Sequence, residues 1–163
     1  MPIEIVSFQP HFAAAFNDLN RVWLDGFGLF EEEDRKYLEH PQEMILDHGG
    51  EIFFALLDGE VVGTCAAIPR GHQTVELAKL AVADRAKGQG LGKLLSETVL
   101  EWSRNQGAAK VVLVSSTKLQ PALRLYEKMG FVHCPLPADV GYETADVYME
   151  YRLREPTGNQ PPG

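Results

Sequence analysis

The sequence has little that would staple a fold, cross a membrane or hold a nucleic acid. Only two cysteines, Cys65 and Cys134, occur among 163 residues. Their number and separation exclude a disulfide framework and offer no zinc spacing. Cys65 lies in an apolar run and reads as a small core residue. The histidines form neither HxxxH nor HExxH; His40 and His48 could share a helix face, but they match zinc patterns poorly, and no metal is expected. No apolar run is long enough to span a bilayer. The first residues, Met1-Pro2-Ile3-Glu4-Ile5, lack the basic and then apolar regions of a secretory signal. The expectation is a cytoplasmic protein with no membrane partner. Basic residues are outnumbered, 15 Lys and Arg against 23 Asp and Glu, for a net charge of −8. An acidic surface repels phosphate backbones, so nucleic acid is not expected as a partner.

What is present fits one α/β domain. Hydrophobic residues at 45% and charged residues at 23% exclude a disordered chain, and the length suits a single core. Residues 2–7 alternate as a short strand. Residues 11–25 place Phe12, Phe16, Leu19, Val22 and Trp23 at helical spacing. Residues 31–47 predict one or two helical segments interrupted at Pro41, with Glu31-Glu32-Glu33-Asp34 as an acidic first turn favoured by the helix dipole. Residues 51–57 and 60–68 form a hairpin about the turn Asp58-Gly59. A strand over 74–83, a helix over 90–105 and a strand over 110–115 follow. The helix face is Leu91, Leu94, Leu95, Val99 and Trp102. A helix over 121–129 ends at Gly130, the residue suited to a left-handed C-terminal turn. Phe131 begins a short extended segment, and 145–153 predicts a last strand. The domain is assigned to 1–155, and the Pro- and Gly-rich tail 156–163 is expected to be disordered.

The chemistry concentrates at Lys87-Gly88-Gln89-Gly90-Leu91-Gly92, between the strand and the helix. Alternating glycines let a backbone turn sharply and present its N–H groups, and a helix N-terminus adds partial positive charge. Such a nest suits a phosphate or pyrophosphate. Lys79, Arg85, Lys87 and Lys93 reverse the overall charge locally, consistent with an anionic ligand. The spacing is GxGxG, which is not the GxGxxG of a dinucleotide turn, and no GxxxxGK[ST] occurs.

Two motifs in order carry a resemblance. The turn is similar to the acyl-CoA signature Q/R-x-x-G-x-G/A, with Lys87 in the first position. Downstream, Ala122, Leu125-Tyr126-Glu127-Lys128 and Gly130-Phe131 resemble the second signature, A-x-x-L-Y-x-x-x-G-F, of the GNAT N-acetyltransferase superfamily. The likeness covers most of the chain. It implies a GNAT acyl-CoA N-acyltransferase fold: a central mixed, mostly antiparallel twisted sheet with a splayed parallel strand pair, flanked by helices. It implies an acyltransferase moving acetyl from acetyl-CoA to an amine by direct attack, with no metal. A small-molecule amine is the leading acceptor. A protein lysine or N-terminus, or a catalytically silent acyl-CoA sensor, are the alternatives, and a homodimer is left open.

The resemblance also implies roles. Leu80, Ala81 and Val82 would pair with the pantetheine arm; Lys87, Gly88, Gln89, Gly90, Leu91, Gly92 and Lys93 would hold the pyrophosphate. Tyr126 matches the tyrosine that protonates the leaving thiolate. A primary amine with a pKa near 10.4 costs roughly 4–5 kcal/mol to neutralise at pH 7, so a base is needed, and Glu76 is the candidate. Many members carry Asn where this chain has Leu119; that contact is either lost here or supplied by Ser115, Ser116 or Thr117. Trp23, Phe27, Phe30 and Tyr142 are candidates to wall the acceptor site, the alternative for each being core or lid packing.

Overall fold

The structure, a computed structural model, describes residues 2–153; the proposed tail 156–163 lies outside the described residues. Seven strands form one sheet: β1 Ile3–Ser7, β2 Glu51–Leu57, β3 Glu60–Gly71, β4 Thr74–Val82, β5 Lys110–Ser115, β6 Val132–Cys134 and β7 Val147–Arg152. Their order across the sheet is β1-β2-β3-β4-β5-β7-β6. All neighbours are antiparallel except β4 and β5. The helices are α1 Ala13–Gly26, α2 Glu32–Glu39, α3 Pro41–Met44, α4 Leu91–Asn105 and α5 Gln120–Met129. No helix among the described residues is long and apolar enough to cross a membrane.

The hairpin predicted around Asp58-Gly59 forms, and its strands are buried on both faces. Phe53 and Ala55 enter one apolar cluster, Ile52 and Phe54 the other. A strand covered on both sides needs a continuous apolar run rather than strict alternation, and Ile52-Phe53-Phe54-Ala55 supplies it. The first cluster joins the sheet to α4 and α5 through Leu95, Val99, Leu123 and Tyr126. The second joins it to α1 and α2 through Phe16, Leu24, Tyr37 and Leu38.

Two helical faces differ from expectation. On α1 the buried stripe is Phe16, Asn20 and Leu24, a four-residue spacing. Val22 lies opposite that stripe and is 68% exposed. Asn20 is tolerated in the core because its amide donates to the Phe16 carbonyl at 2.9 Å and accepts from the Trp23 indole at 3.2 Å. On α4, Leu94 stays 37% exposed, while the small residues Ser96 and Ser103 are buried. Ser103 satisfies its hydroxyl on the Val99 carbonyl at 2.7 Å. Pro41 does not merely interrupt the second helical segment; it starts α3 at the N-terminal position where a missing N–H costs nothing.

The floor of the second cluster is closed by Gly50. A Cβ there would sit 2.6 Å from the Ala67 carbonyl oxygen and 2.9 Å from Ile45 Cγ2. Gly50→Ala is therefore expected to destabilise the fold by about 1–3 kcal/mol, the usual cost of overpacking. Urea denaturation measures it, and an unchanged midpoint would refute the close approach.

Candidate active site

β4 and β5 begin as a parallel pair and then part. Their register runs Thr74 to Lys110, Val75 to Val111 and Glu76 to Val112, and stops there. β5 continues beside β7 as far as Ser115 opposite Val147. β4 bends away. Thr64 pairs with Ala81 and Ala66 with Ala78, so Cys65 alone opposes both Lys79 and Leu80. This is a β-bulge, which adds twist to the strand that carries the extra residue. Lys79 occupies it at φ +58°, a left-handed conformation uncommon for a non-glycine residue.

The fork opens into a cleft of about 480 Å³. At its head stands the glycine turn. Gly88 and Gly90 have φ of +83° and +77°, with open space where a side chain would project. Gly90 caps α4, and Leu94 makes the first bond of the helix back to its carbonyl at 3.0 Å. No acceptor among the described residues takes the N–H groups from Gly88 to Lys93. The N–H of Lys87 is engaged by the Asp84 carbonyl at 3.2 Å. A row of free donors at a helix N-terminus is suited to an anion.

Of the residues predicted to bind a cofactor, Leu80, Ala81, Val82, Lys87 and Ser115 line the cleft. So do Gly88, Gly90, Leu91, Gly92 and Lys93, whereas Gln89 is exposed and does not. The basic cluster disperses. Lys79 pairs with Asp34, Arg85 with Glu60 and Lys87 with Asp84. Among the described residues Lys93 alone of the four makes no ion pair, so the turn offers backbone donors more than unpaired side-chain charge.

Both predicted catalytic residues reach the cleft. Glu76 sits where the strands part, its carboxylate 2.8 Å from Arg70 Nε. Tyr126 projects from α5, is buried and packs 5.6 Å from the Phe131 ring. Burial pushes its phenol well above the ordinary value of 10.0, so it stays protonated. Leu119 packs into the second cluster. The loop before α5 is instead tied by Ser116 Oγ, which accepts the Lys118 N–H at 3.2 Å, and by Thr117, held through its N–H and hydroxyl on Asp146 at 2.8 Å each. Trp23, Phe27 and Tyr142 line the cleft as expected. Phe30 does not; it lies beneath the guanidinium groups of Arg21 at 3.8 Å and Arg35 at 5.2 Å, where cation–π attraction holds it outside.

Sequence reasoning missed a hydrogen-bonded ring that roofs the cleft. Glu31 and Asp34 form a capping box on α2. Asp34, almost wholly buried, also bonds Lys79 on the bulge, and Lys79 reaches Tyr142 Oη at 3.2 Å. Tyr142 belongs to a strap, residues 135–146, between β6 and β7. Glu31 accepts the N–H groups of Glu143 at 3.0 Å and Thr144 at 2.9 Å, together with the Thr144 hydroxyl. The only local signals were the spacing of Asp34, Tyr37 and Leu38 on one helix face, and a lysine breaking the alternation of β4. Among the described residues no group of three His, Cys, Asp or Glu is placed to hold a metal.

A forked mixed sheet with free helix-terminal donors at the mouth of the fork is the architecture of an acyltransferase that uses coenzyme A. The chain belongs to the GNAT family: the family model described as "Acetyltransferase (GNAT) family" matches residues 13–131. Among solved structures, a GNAT acetyltransferase from Staphylococcus aureus Mu50 superposes with a TM-score of 0.86 at 19% identity, covering 94% of this chain and 100% of that one. PaiA N-acetyltransferase from Thermoplasma acidophilum, solved in complex with coenzyme A, gives 0.76 at 18% identity over 93% and 99% of the two chains. N-acetyltransferase 8 of Rattus norvegicus is 39% identical over 90 residues, 52% of this chain and 40% of that protein. N-acetyltransferase 8 of Mus musculus is 41% identical over 88 residues, covering 51% and 39%. The matched stretch is thus about two fifths of the length of these relatives.

The Glu31 latch carries a pH signature. Partial burial pushes its carboxyl up, but the bonds from Thr144 and Glu143 and the charge of Lys79 outweigh this and hold it below the ordinary 4.5. A depressed folded value stabilises the protein above the unfolded value and loses that contribution as pH falls through the folded one. Wild type should therefore exceed Glu31→Gln in urea stability at pH 7, with the difference narrowing once pH drops below 4.5. A difference constant from pH 7 to pH 3 would overturn the assignment.

Proposed function

We propose that the chain transfers acetyl from acetyl-CoA to the primary amine of a small molecule by direct attack, with both substrates held together in the cleft. The observation that carries this reading is the run of unengaged N–H groups from Gly88 to Lys93 at the head of the forked sheet. That run suits a pyrophosphate, and the family assignment makes coenzyme A its bearer. The side of β4 that faces β5 has no strand partner at Leu80, Ala81 and Val82 and suits an extended arm rich in amides, with Ser115 on the opposite bank.

The reaction asks for one proton to leave and one to arrive. The amine nitrogen forms a bond to the thioester carbonyl carbon, and the carbon–sulfur bond breaks. Glu76 takes the proton released from the amine, directly or through water, while Arg70 fixes the orientation of its carboxylate. Tyr126 gives a proton to the departing thiolate; its burial keeps that proton in place until negative charge develops beside it. Glu76 stands at the point where the strands separate, and Tyr126 faces the fork from α5, so acid and base approach from different elements.

Release of CoA thiol with acetyl-CoA and a panel of small amines, lysine peptides and protein N-termini tests the reading. Release with a small amine supports it. Release only with peptides would move the acceptor class to proteins, and tight acetyl-CoA binding with no release from any acceptor would make the chain a sensor. Tyr126→Phe should lower kcat by about 10²-fold, the low end for loss of a general acid, with acetyl-CoA affinity unchanged. An unaltered kcat removes Tyr126 from the mechanism. Gly90→Ala should weaken acetyl-CoA binding, because a Cβ at that left-handed position costs about 1–2 kcal/mol. Isothermal titration reads it, and wild-type affinity would show that the turn does not need its conformation.

A further inference from the structure

The acceptor half of the cleft contains charged groups, yet each already has a partner. Lys79 is held by Asp34 and Tyr142, and the lysine and aspartate side chains are only 9% and 3% exposed. Glu76 is held by Arg70 at 2.8 Å, and Arg70 Nη1 also donates to Tyr37 Oη at 3.1 Å. Glu31 is occupied by the strap. Lys118, which is exposed and does not line the cleft, makes no ion pair among the described residues; its Nζ donates to the Phe27 carbonyl at 3.4 Å. Beside these closed pairs the wall is carbon: Trp23, Leu24, Phe27, Leu29 and Leu119. Phe27 keeps 47% of its surface open at the rim, while Leu29 is 5% exposed.

This pattern discriminates among amines. Of the described cations that line the cleft, Lys79 is paired with Asp34 and Lys87 with Asp84, while Lys93, without an ion pair, stands at the glycine turn; a substrate carboxylate buried against the apolar wall would have to go unpaired or pull Lys79 from Asp34. Pulling them apart leaves Asp34 as a buried charge without its counter-ion, held only by the Glu31 N–H of the capping box. A second ammonium meets the same difficulty, because Glu76 and Asp34 are both engaged. An apolar body displaces water from Trp23 and Phe27 and is favoured. We infer that the acceptor is a monoamine on an apolar body, an arylalkyl or branched alkyl amine, and that amines carrying a carboxylate or a second cation are rejected. This inference rests on the acetyl-transfer reading of the same cleft. The ring of Glu31, Asp34, Lys79 and Tyr142 acts as a specificity device: it fixes the strap and at the same time removes the charges a polar substrate would use.

The test compares kcat/KM for 2-phenylethylamine, L-phenylalaninamide, L-phenylalanine and spermidine by CoA-thiol release. The first two should be used, and the last two should fall at least about 100-fold below them, since an unpaired ion in a closed cleft is strongly disfavoured. Turnover of phenylalanine or spermidine at the rate of 2-phenylethylamine overturns this inference alone. Release from none of the four, with acetyl-CoA bound, overturns the acetyl-transfer reading and this inference with it. Phe27→Ala, at a half-exposed position, should raise KM for 2-phenylethylamine by about 10-fold from lost apolar contact, with acetyl-CoA affinity unchanged; an unaltered KM refutes the apolar wall. Asp34→Asn frees Lys79 and should move the ratio of kcat/KM toward phenylalanine. A folded Asp34→Asn protein with the wild-type ratio would show that the ion pair does not exclude carboxylates. If that variant does not fold, the four-amine comparison and Phe27→Ala decide.

Discussion

Inside a sheet every backbone N–H and C=O needs a partner. Between β4 and β5 that pairing ends at Glu76 and Val112, and the rest of the site depends on this interruption. It places an unpaired strand edge in the middle of a domain, facing the cleft. The bulge opposite Cys65 makes the departure possible by turning β4 away from its neighbour, and the antiparallel partner β3 keeps the bent strand in the sheet. β5 keeps its pairing with β7 throughout, from Lys110 to Ser115.

A bulge with a lysine at positive φ needs something to hold it. The buried Asp34 carboxylate does so from α2, and the same side chain caps that helix. Removing one member of a buried pair strands the other as an uncompensated charge, so such pairs set geometry more than they add net stability. Here the geometry is that of the cleft roof. The strap, the bulge and the first turn of α2 share one hydrogen-bonded ring, and the carboxylates of that ring are satisfied without any substrate.

The fold was largely legible in the chain. Period-two alternation, the Asp58-Gly59 turn and the apolar run at 110–115 located the strands, and Gly130 marked a helix end because a φ of +109° suits glycine. The glycine turn and Tyr126 were legible because backbone conformation and motif spacing are local properties. The roof was not. Asp34 and Lys79 are 45 positions apart, and nothing in either neighbourhood announces that an acidic helix turn and a strand lysine will meet in the interior. Phe30 was misplaced for the same reason: whether an aromatic ring walls a cleft or lies under two arginines depends on how α1 and α2 face each other. Val22 was misassigned because a run of apolar residues on α1 is wider than the stripe that the sheet covers.

The latch between Glu31 and Thr144 spans 113 positions, joining the start of α2 to a strap that lies beyond residues 13–131, the stretch the family model matches. Residues 31 and 34 cannot drift independently of residues 142–144: a change in strap length or shape that served a new acceptor would leave the capping carboxylates of α2 without their present neighbours. The first turn of α2 and the strap are thus one mechanical unit of the cleft roof, although they lie at opposite ends of the described chain.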